Sequence, residues 1–282
     1  MPSVSVVVPV HNGASALPHL LAALSAQRGV QPFEVVVVDN RSTDATAAVA
    51  AASPVVSRVV TEPRPGSYVA RNAGWRAATG DVIAFTDADC APDADWLLAL
   101  VTALDAGADL AGGAVVPGPP PPGPWAGWWA AYDRTMYLDQ ADNVAHNGFA
   151  ATANLAVRRA VLEELDGFDA ALASGGDAFF GRRATAAGHR LVWVPDAVVR
   201  HEPRAGMHET WKLWRRLGKG YGDLAARGEW PVPLRRDPVI RKPLAEVRVR
   251  AAERGVRLPL PVLAALHAFA RAAVLRGRLD AR

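Results

Sequence analysis

Five short runs of apolar, largely β-branched residues punctuate the first 116 positions: Val4–Val10, Phe33–Val38, Val55–Thr61, Val82–Thr86 and Leu110–Val116. Between them lie Ala/Leu-rich stretches with helical spacing, at Ala14–Gln27, Asp44–Ala52, Tyr68–Thr79 and Asp93–Asp105. Runs that stay apolar at consecutive positions predict strands buried on both faces. Their alternation with helices predicts an α/β fold, a mostly parallel sheet with helices on both faces. Ligands of such sheets bind beyond the carboxyl ends of the strands. The residues there are His11-Asn12, Asp39-Asn40, Glu62 and Asp87-Ala88-Asp89.

The pattern then changes. Residues 117–124 read PGPPPPGP, which sustains neither strand nor helix and predicts a stiff polyproline connection. An aromatic helix is expected at Trp125–Leu138, a strand at Asn154–Val157, helices at Arg158–Leu165 and Ala178–Ala187, and a strand at Leu191–Val194. Helices are expected at His208–Arg227 and Pro261–Arg276 in a C-terminal extension. No internal repeat is present. The expected division is 1–116, 117–202 and 203–282.

Composition narrows the partners. Of 282 residues, 50% are hydrophobic and 21% charged, as in an ordered globular chain. The 31 Lys and Arg exceed the 28 Asp and Glu by three, too little for a global field that draws nucleic acid. The basic residues concentrate after Arg200. Cys90 is the sole cysteine, which excludes an intramolecular disulfide and a multi-cysteine metal site and fits a reducing compartment. Met1-Pro2-Ser3 lacks a signal peptide's basic start. The longest apolar stretch, Leu258–Leu275, is interrupted by His267 and Arg271, so no membrane span is expected. A cytoplasmic location follows as the expectation.

Chemistry concentrates at three strand ends. Val82–Thr86 runs into Asp87-Ala88-Asp89, two carboxylates whose oxygens can converge on a hard cation, Mg²⁺ or Mn²⁺, that bridges to a diphosphate. Helix capping is the plainer use of such residues, and Asp93 is assigned to it. Val37-Val38-Asp39-Asn40-Arg41-Ser42-Thr43-Asp44 ends a second strand with an Asp suited to a base imide or ribose hydroxyls, while Ser42 or Thr43 caps the next helix. Gly66-Ser67-Tyr68-Val69-Ala70-Arg71-Asn72-Ala73-Gly74 places Arg71 early in a helix, where it can hold phosphate or pair with a surface carboxylate. No Gly-x-Gly-x-x-Gly follows the first strand, which argues against a dinucleotide fold. An Asp-x-Asp phosphatase also uses an Asp after a strand as nucleophile, but its motif lies near the chain start and is followed by Thr, whereas Cys90 and Ala91 follow here. A nucleotidyltransferase and a catalytically silent nucleotide-binding protein are the remaining alternatives.

The ordered set VPVHN, VVDNRSTD, GSYVARNAGWRAATGDVIAFTDADC, Asp166-Gly167-Phe168-Asp169, Gly175-Gly176-Asp177-Ala178-Phe179-Phe180-Gly181-Arg182 and VPDAVVRHEP resembles the family 2 glycosyltransferases over about residues 3–203. The resemblance implies the Rossmann-related GT-A fold and inverting transfer of a hexose-type sugar from a nucleoside diphosphate, UDP foremost with GDP and dTDP open. It implies that residues 1–116 bind the nucleotide-sugar and that 117–202 form the acceptor half. Asp39 resembles the family's base-binding Asp, with Pro9, His11 and Asn12 in the same pocket. Arg71 resembles the Arg of its A-R-N-x-G segment. Asp87, Ala88 and Asp89 match its metal-binding motif, Asp87 nearer the ribose and Asp89 on the Mg²⁺ or Mn²⁺. Asp177 matches the catalytic base, and His201 a further metal or diphosphate contact. Three positions depart from the pattern: Gly176 where Glu is frequent, His11 where Tyr is typical, and Trp211-Lys212-Leu213-Trp214-Arg215-Arg216 without the Gln of the processive motif. The last implies single-sugar transfer.

The acceptor is read more coarsely, as a saccharide, a lipid-linked sugar or a small molecule. Asn154 and Trp193 are candidate contacts. The Trp/Lys/Arg mixture at 211–216, with Trp125, Trp128, Trp129 and Tyr132, fits either a helix lying on the inner face of a membrane or rings packed within the fold. One-sided aromatics favour packing.

Overall fold

The computed structural model describes residues 2–119, 124–136, 138–228 and 242–281; positions 120–123 of the Pro/Gly connection and the Trp125 side chain lie outside the described residues. Two compact units are present. The first comprises Met1–Val116, Asp139–Ala171 and Gly176–His201, and the second Pro117–Leu138, Leu172–Gly175 and Glu202–Arg282. Pro117–Leu138 clusters with the C-terminal helices.

The first unit is built on β1 (Val4–Val10), β2 (Glu34–Asp39), β3 (Arg58–Thr61), β4 (Val82–Thr86), β5 (Cys90–Pro92), β6 (Leu110–Pro117), β7 (Asn154–Arg158) and β8 (Leu191–His201). They form one eight-stranded sheet in the order β3-β2-β1-β4-β7-β6-β8-β5. β1 pairs in parallel with β2 and β4, and β2 with β3. β7 runs antiparallel to β4 and β6, and β5 antiparallel to β8. This is the GT-A fold, a curled, mostly parallel sheet.

Both faces are covered, as continuous apolar strands require. Val4, Val6, Val8 and Val10 of β1 pack with Leu17, Leu20 and Leu24 of α1 (Leu17–Ser25) and with Trp96, Leu97, Leu100 and Leu104 of α4 (Trp96–Asp105). Each such buried side chain contributes about 1.5–3 kcal/mol of transfer free energy. α2 (Thr46–Ala52) follows β2. α3 (Ser67–Ala77) covers the opposite face. A Cβ at Gly74 would run into Val7 Cγ1 and Val38 Cγ2, so glycine lets α3 lie directly on β1 and β2. After β6 come α5 (Pro124–Met136), α6 (Gln140–Asp142) with a π-helical turn at Asn143–Asn147, α7 (Arg159–Glu164) and α8 (Gly176–Ala186).

Several boundaries differ from the pattern. β3 begins at Arg58, since Val56 N bonds Ser53 O in a turn. β8 continues past Pro195 to His201, with Pro195 exposed. Asp93 does not cap α4: its carboxylate takes Arg200 Nε and Nη2, both at 3.0 Å, and the residue at the cap, Asp95, makes no side-chain cap bond. Neither Ser42 nor Thr43 caps α2; Asp44 Oδ1 accepts from Thr46 N at 3.0 Å instead.

The second unit is helical: α5, α9 (Met207–Ala226), α10 (Leu244–Glu253) and α11 (Leu260–Leu279). Its core is Tyr132, Trp214, Val247, Leu263, Leu266, Ala270, Ala273 and Val274. A Cβ at Gly218 would meet Val274 O, and one at Gly277 would meet Arg215 O, so α9 and α11 touch backbone to backbone. Trp129 and Trp211 both pack on Phe269, each with ring centroids 5.2 Å apart, which is the packing expected of one-sided rings. α11 is long and apolar enough to cross a membrane by length and composition, a candidate the interrupted sequence run did not suggest. Here it buries Leu263, Leu266, Ala270, Ala273 and Val274 in the helical core.

Candidate active site

The parallel strands deliver their last residues to one edge of the sheet, where β1, β2 and β4 end. His11 Nδ1 lies 2.7 Å from Asn40 O; a carbonyl only accepts, so this nitrogen carries the proton. Asn12 adopts a left-handed φ of 52°, which Asn tolerates. Its N–H donates to Ser42 Oγ at 2.9 Å, and its Oδ1 accepts from Thr43 N at 2.8 Å. Asp39 is 8% exposed, and its Oδ1 accepts from Ser42 N at 3.0 Å. Asn40 ties the loop after β3 to this edge, donating to Glu62 O at 3.0 Å and accepting from Gly66 N at 3.0 Å. Glu62 is buried and gathers Arg64 N, Nε and Nη2; those bonds, the Arg64 side chain first, lower its pKa. Pro9 is half-buried beside them, on β1.

The segment GSYVARNAG divides its labour along α3. Arg71 is buried and its Nη2 pairs with Asp87 Oδ1. Burial, the largest single influence, works against the charged guanidinium, but the charges of Asp87, Tyr68 and Asp177 and the hydrogen bond to Asp87 together outweigh it, so the Arg71 pKa is raised. The alternative of a solvated helical Arg is thereby corrected, and its charge is aimed at Asp87. Asn72 Nδ2 donates to Phe168 O at 2.6 Å, while its Oδ1 accepts from Phe168 N and Trp75 Nε1, both at 3.0 Å. Tyr68 is 5% exposed; its ring lies beneath the Arg71 guanidinium at 5.5 Å and stacks on Phe168 at 5.8 Å.

β5 completes the acidic end. Its pairing of Cys90 with His201 sets the end of β8 beside the turn after β4. His201 Nε2 comes to 3.2 Å from Asp89 Oδ2. His201 is buried, at 8% exposure. A Cβ on Gly13 would lie 3.7 Å from Ala88 Cβ, so the loop after β1 flanks the same turn. Burial, then the charges of Asp87 and Asp89, push the Cys90 thiol up and keep it protonated. Among the described residues no three His, Cys, Asp or Glu side chains group as a protein-only metal site. Asp89 and His201 do converge, and a Mg²⁺-type cation takes few protein ligands and completes its shell with water and phosphate oxygens.

Asp177 stands in the first turn of α8. Its Oδ1 accepts from Tyr68 Oη at 3.1 Å and from the adjacent Ala178 N at 2.9 Å. Burial, then the Asp177 charge, raise the Tyr68 pKa and keep the phenol a donor. A Cβ on Gly176 would sit 2.7 Å from Tyr68 Cε2, so the ring occupies the space that a Glu at this position would need.

The two candidate acceptor contacts fall elsewhere. Asn154 is fully buried; its Oδ1 accepts from Trp96 Nε1 at 2.8 Å, and its Nδ2 donates to Ala114 O and Ala197 O at 2.8 Å each. It is a junction of β6, β7 and β8 with no surface to offer. Trp193 lies eight residues before His201 on β8, about 25 Å along an extended strand. Tyr68 is the site residue that pattern reading left without a role. Its signal was a Tyr three positions before Arg71, on the same helical face.

A family profile, Glycosyl transferase family 2, matches residues 5–166. The chain belongs to this family. It is 35% identical over 226 residues to glycosyltransferase AglE of Haloferax volcanii, covering 78% of this chain and 73% of that protein. Two mycobacterial glycosyltransferases are spanned over about half of their own length, 48% and 47%. Among solved structures, the mannosyltransferase PcManGT of Pyrobaculum calidifontis, in complex with GDP-Man and Mn²⁺, superposes with a TM-score of 0.70 at 22% identity, over 100% of this chain and 88% of that one. Glucosyl-3-phosphoglycerate synthase of Mycobacterium tuberculosis, with Mn²⁺, UDP and glucosyl-3-phosphoglycerate, gives 0.60 at 22% identity, over 82% and 81%. These likenesses establish the fold, and membership makes the family 2 chain a glycosyltransferase.

Proposed function

We propose that this glycosyltransferase moves one sugar at a time from a nucleoside diphosphate, UDP before GDP or dTDP, to an acceptor hydroxyl with inversion, in a Mg²⁺- or Mn²⁺-dependent reaction. The observation that carries the reading is one helical turn of α3. Arg71 holds Asp87 at the donor end, and Tyr68 holds Asp177 across from it. A double displacement is not needed when one carboxylate faces the acceptor and the others hold the donor.

In this reading Asp39 takes the base or ribose, with Pro9, His11 and Asn12 around it, and Asp87 and Ala88 border the ribose and diphosphate. Asp89 and His201, with Asp87 nearby, would hold the cation, which when bound would supply positive charge against the diphosphate. Mn²⁺ in the two structural neighbours motivates that ion. Asp177 accepts the proton of the acceptor hydroxyl through Oδ2 as the new C–O bond forms and the anomeric carbon–diphosphate bond breaks, its electron pair leaving with the diphosphate. Residues 1–116 form the donor half and 117–202 the acceptor half, with 203–282 a basic extension; the setting is the cytoplasm, at the inner membrane face if the acceptor is lipid-linked. A phosphatase would need Asp87 free as nucleophile, and here it is ion-paired to Arg71.

The test is a thermal-shift screen of nucleotide-sugars with Mn²⁺, Mg²⁺ or chelator, followed by donor hydrolysis. One donor class should stabilise the protein only with the cation. Asp89→Asn and His201→Ala should each raise the Mn²⁺ midpoint by roughly 10–100-fold. Asp177→Asn should bind donor normally and lose about 10²–10⁴-fold in turnover, which separates an enzyme from a silent binder. If no donor binds with either cation, the proposal fails.

A further inference from the structure

The chain is electrically divided. Residues 1–202 carry 13 Lys and Arg against 21 Asp and Glu, whereas residues 203–282 carry 18 against 7. A net of +11 within eighty residues is the footprint of a polyanionic partner, hidden by an overall charge of +3.

Within the helical unit that charge has a shaped focus. α9 and α11 bound a groove of about 550 Å³ whose lining includes Trp211, Lys212, Arg215, Arg216, Lys219 and Leu279. Asp280, also on the lining, engages Arg215 at 2.7 Å, and Asp223 engages Lys219 at 2.9 Å. Lys212 and Arg216 are exposed and have no carboxylate partner among the described residues. Trp211 is not a loose ring, since Phe269 holds it. Apolar side chains continue the same helices into solvent: Leu279 is 79% exposed, Leu275 one turn earlier 38%, and Met207 one turn before Trp211 60%.

We propose that this face of α9 and α11 docks on an anionic phospholipid bilayer, Lys212 and Arg216 meeting headgroup phosphates while Leu275, Leu279 and Met207 enter the acyl boundary. Free cations beside exposed leucines and a fixed Trp suit a surface that is charged outside and apolar just below. A nucleic-acid backbone matches the charge but gives the leucines no apolar phase. The inference is independent of the sugar chemistry, because every residue it uses lies outside the proposed transfer site.

Flotation of the whole protein with vesicles tests it. Wild type should float with phosphatidylcholine vesicles containing phosphatidylglycerol, not with phosphatidylcholine alone, and should be released by salt. Lys212→Glu with Arg216→Glu should lower the partition coefficient at least about tenfold. Leu275→Ser with Leu279→Ser should lower it by a similar factor, about tenfold, through lost apolar burial. Both double variants should keep the wild-type melting temperature and donor hydrolysis, which separates failure of docking from failure of the enzyme reading. No flotation, equal flotation with neutral vesicles, or an unchanged partition for the charge-reversed variant overturns the proposal. So does salt-sensitive binding to duplex DNA or RNA that the leucine variants retain in full, which identifies a nucleic-acid partner instead.

Discussion

Tyr68 donates to Asp177 Oδ1 at 3.1 Å across 109 residues of sequence, and the helix that carries Tyr68 also carries Arg71, the partner of Asp87. The two ends of the proposed reaction thus share one rigid support. Tyr68→Phe keeps the ring against Phe168 and removes only the hydroxyl. Turnover should fall about 10-fold, less than the loss for Asp177→Asn, while the donor KM changes little. Steady-state kinetics with varied donor checks the split; a raised KM with unchanged kcat contradicts a positioning role.

The Gly176 backbone lies under the Tyr68 ring, so bulk at one position excludes bulk at the other. Gly176→Ala should cost about 1–3 kcal/mol by overpacking. Tyr68→Ala should relieve most of that cost in the double variant, a coupling readable in chemical denaturation. Additive losses would show that the contact does not limit this position.

Asn154→Ala should leave Trp96 Nε1 and two strand carbonyls without their partner, at a cost on the order of 3–5 kcal/mol. The variant's kcat and acceptor KM, measured on its folded fraction, should match wild type. A raised acceptor KM with unchanged stability would restore Asn154 to the acceptor site.

His267 sits between Tyr132 Oη at 3.1 Å from Nδ1 and Lys242 O at 2.9 Å from Nε2, the arrangement of a neutral ring that accepts at one nitrogen and donates at the other. Burial first, then Arg271 and Lys242, lower its pKa below the ordinary 6.5. The unfolded chain therefore takes up this proton as pH falls through about 6.5, before the folded chain does. Binding more protons when unfolded means stability drops from near pH 7 downward and levels once the folded ring also titrates. Thermal melts from pH 8 to pH 5 should fall more steeply for wild type than for His267→Gln. Parallel curves would assign the acid sensitivity to other groups.

The positions of Asp39 and Asp87 at strand ends were legible because each closes a run of buried, largely β-branched residues. β5 was not, since Cys90-Ala91-Pro92 is three residues long and contains a proline; only pairing with β8 makes it a strand, and only that pairing brings His201 to Asp89. Asp93 read as a helix cap because local spacing knows nothing of Arg200, which reaches it from 107 residues away. α10 carries charges at Glu246, Arg248, Arg250 and Glu253, too many for an apolar stripe to stand out. Asn154 looked like a polar strand residue free to meet a ligand, and its use as a three-strand junction exists only after β6 and β8 have come together.

Asn72 clasps the amide and carbonyl of Phe168 with one side chain, joining α3 to a turn 96 residues downstream. Those two segments are consequently one heritable unit despite their separation. A recombinant that takes residues 67–77 from one relative and 166–168 from another inherits half a clasp wherever the donors differ in turn geometry. Crossovers between the two segments should be depleted among viable shuffled chains, and a breakpoint after the second should be tolerated.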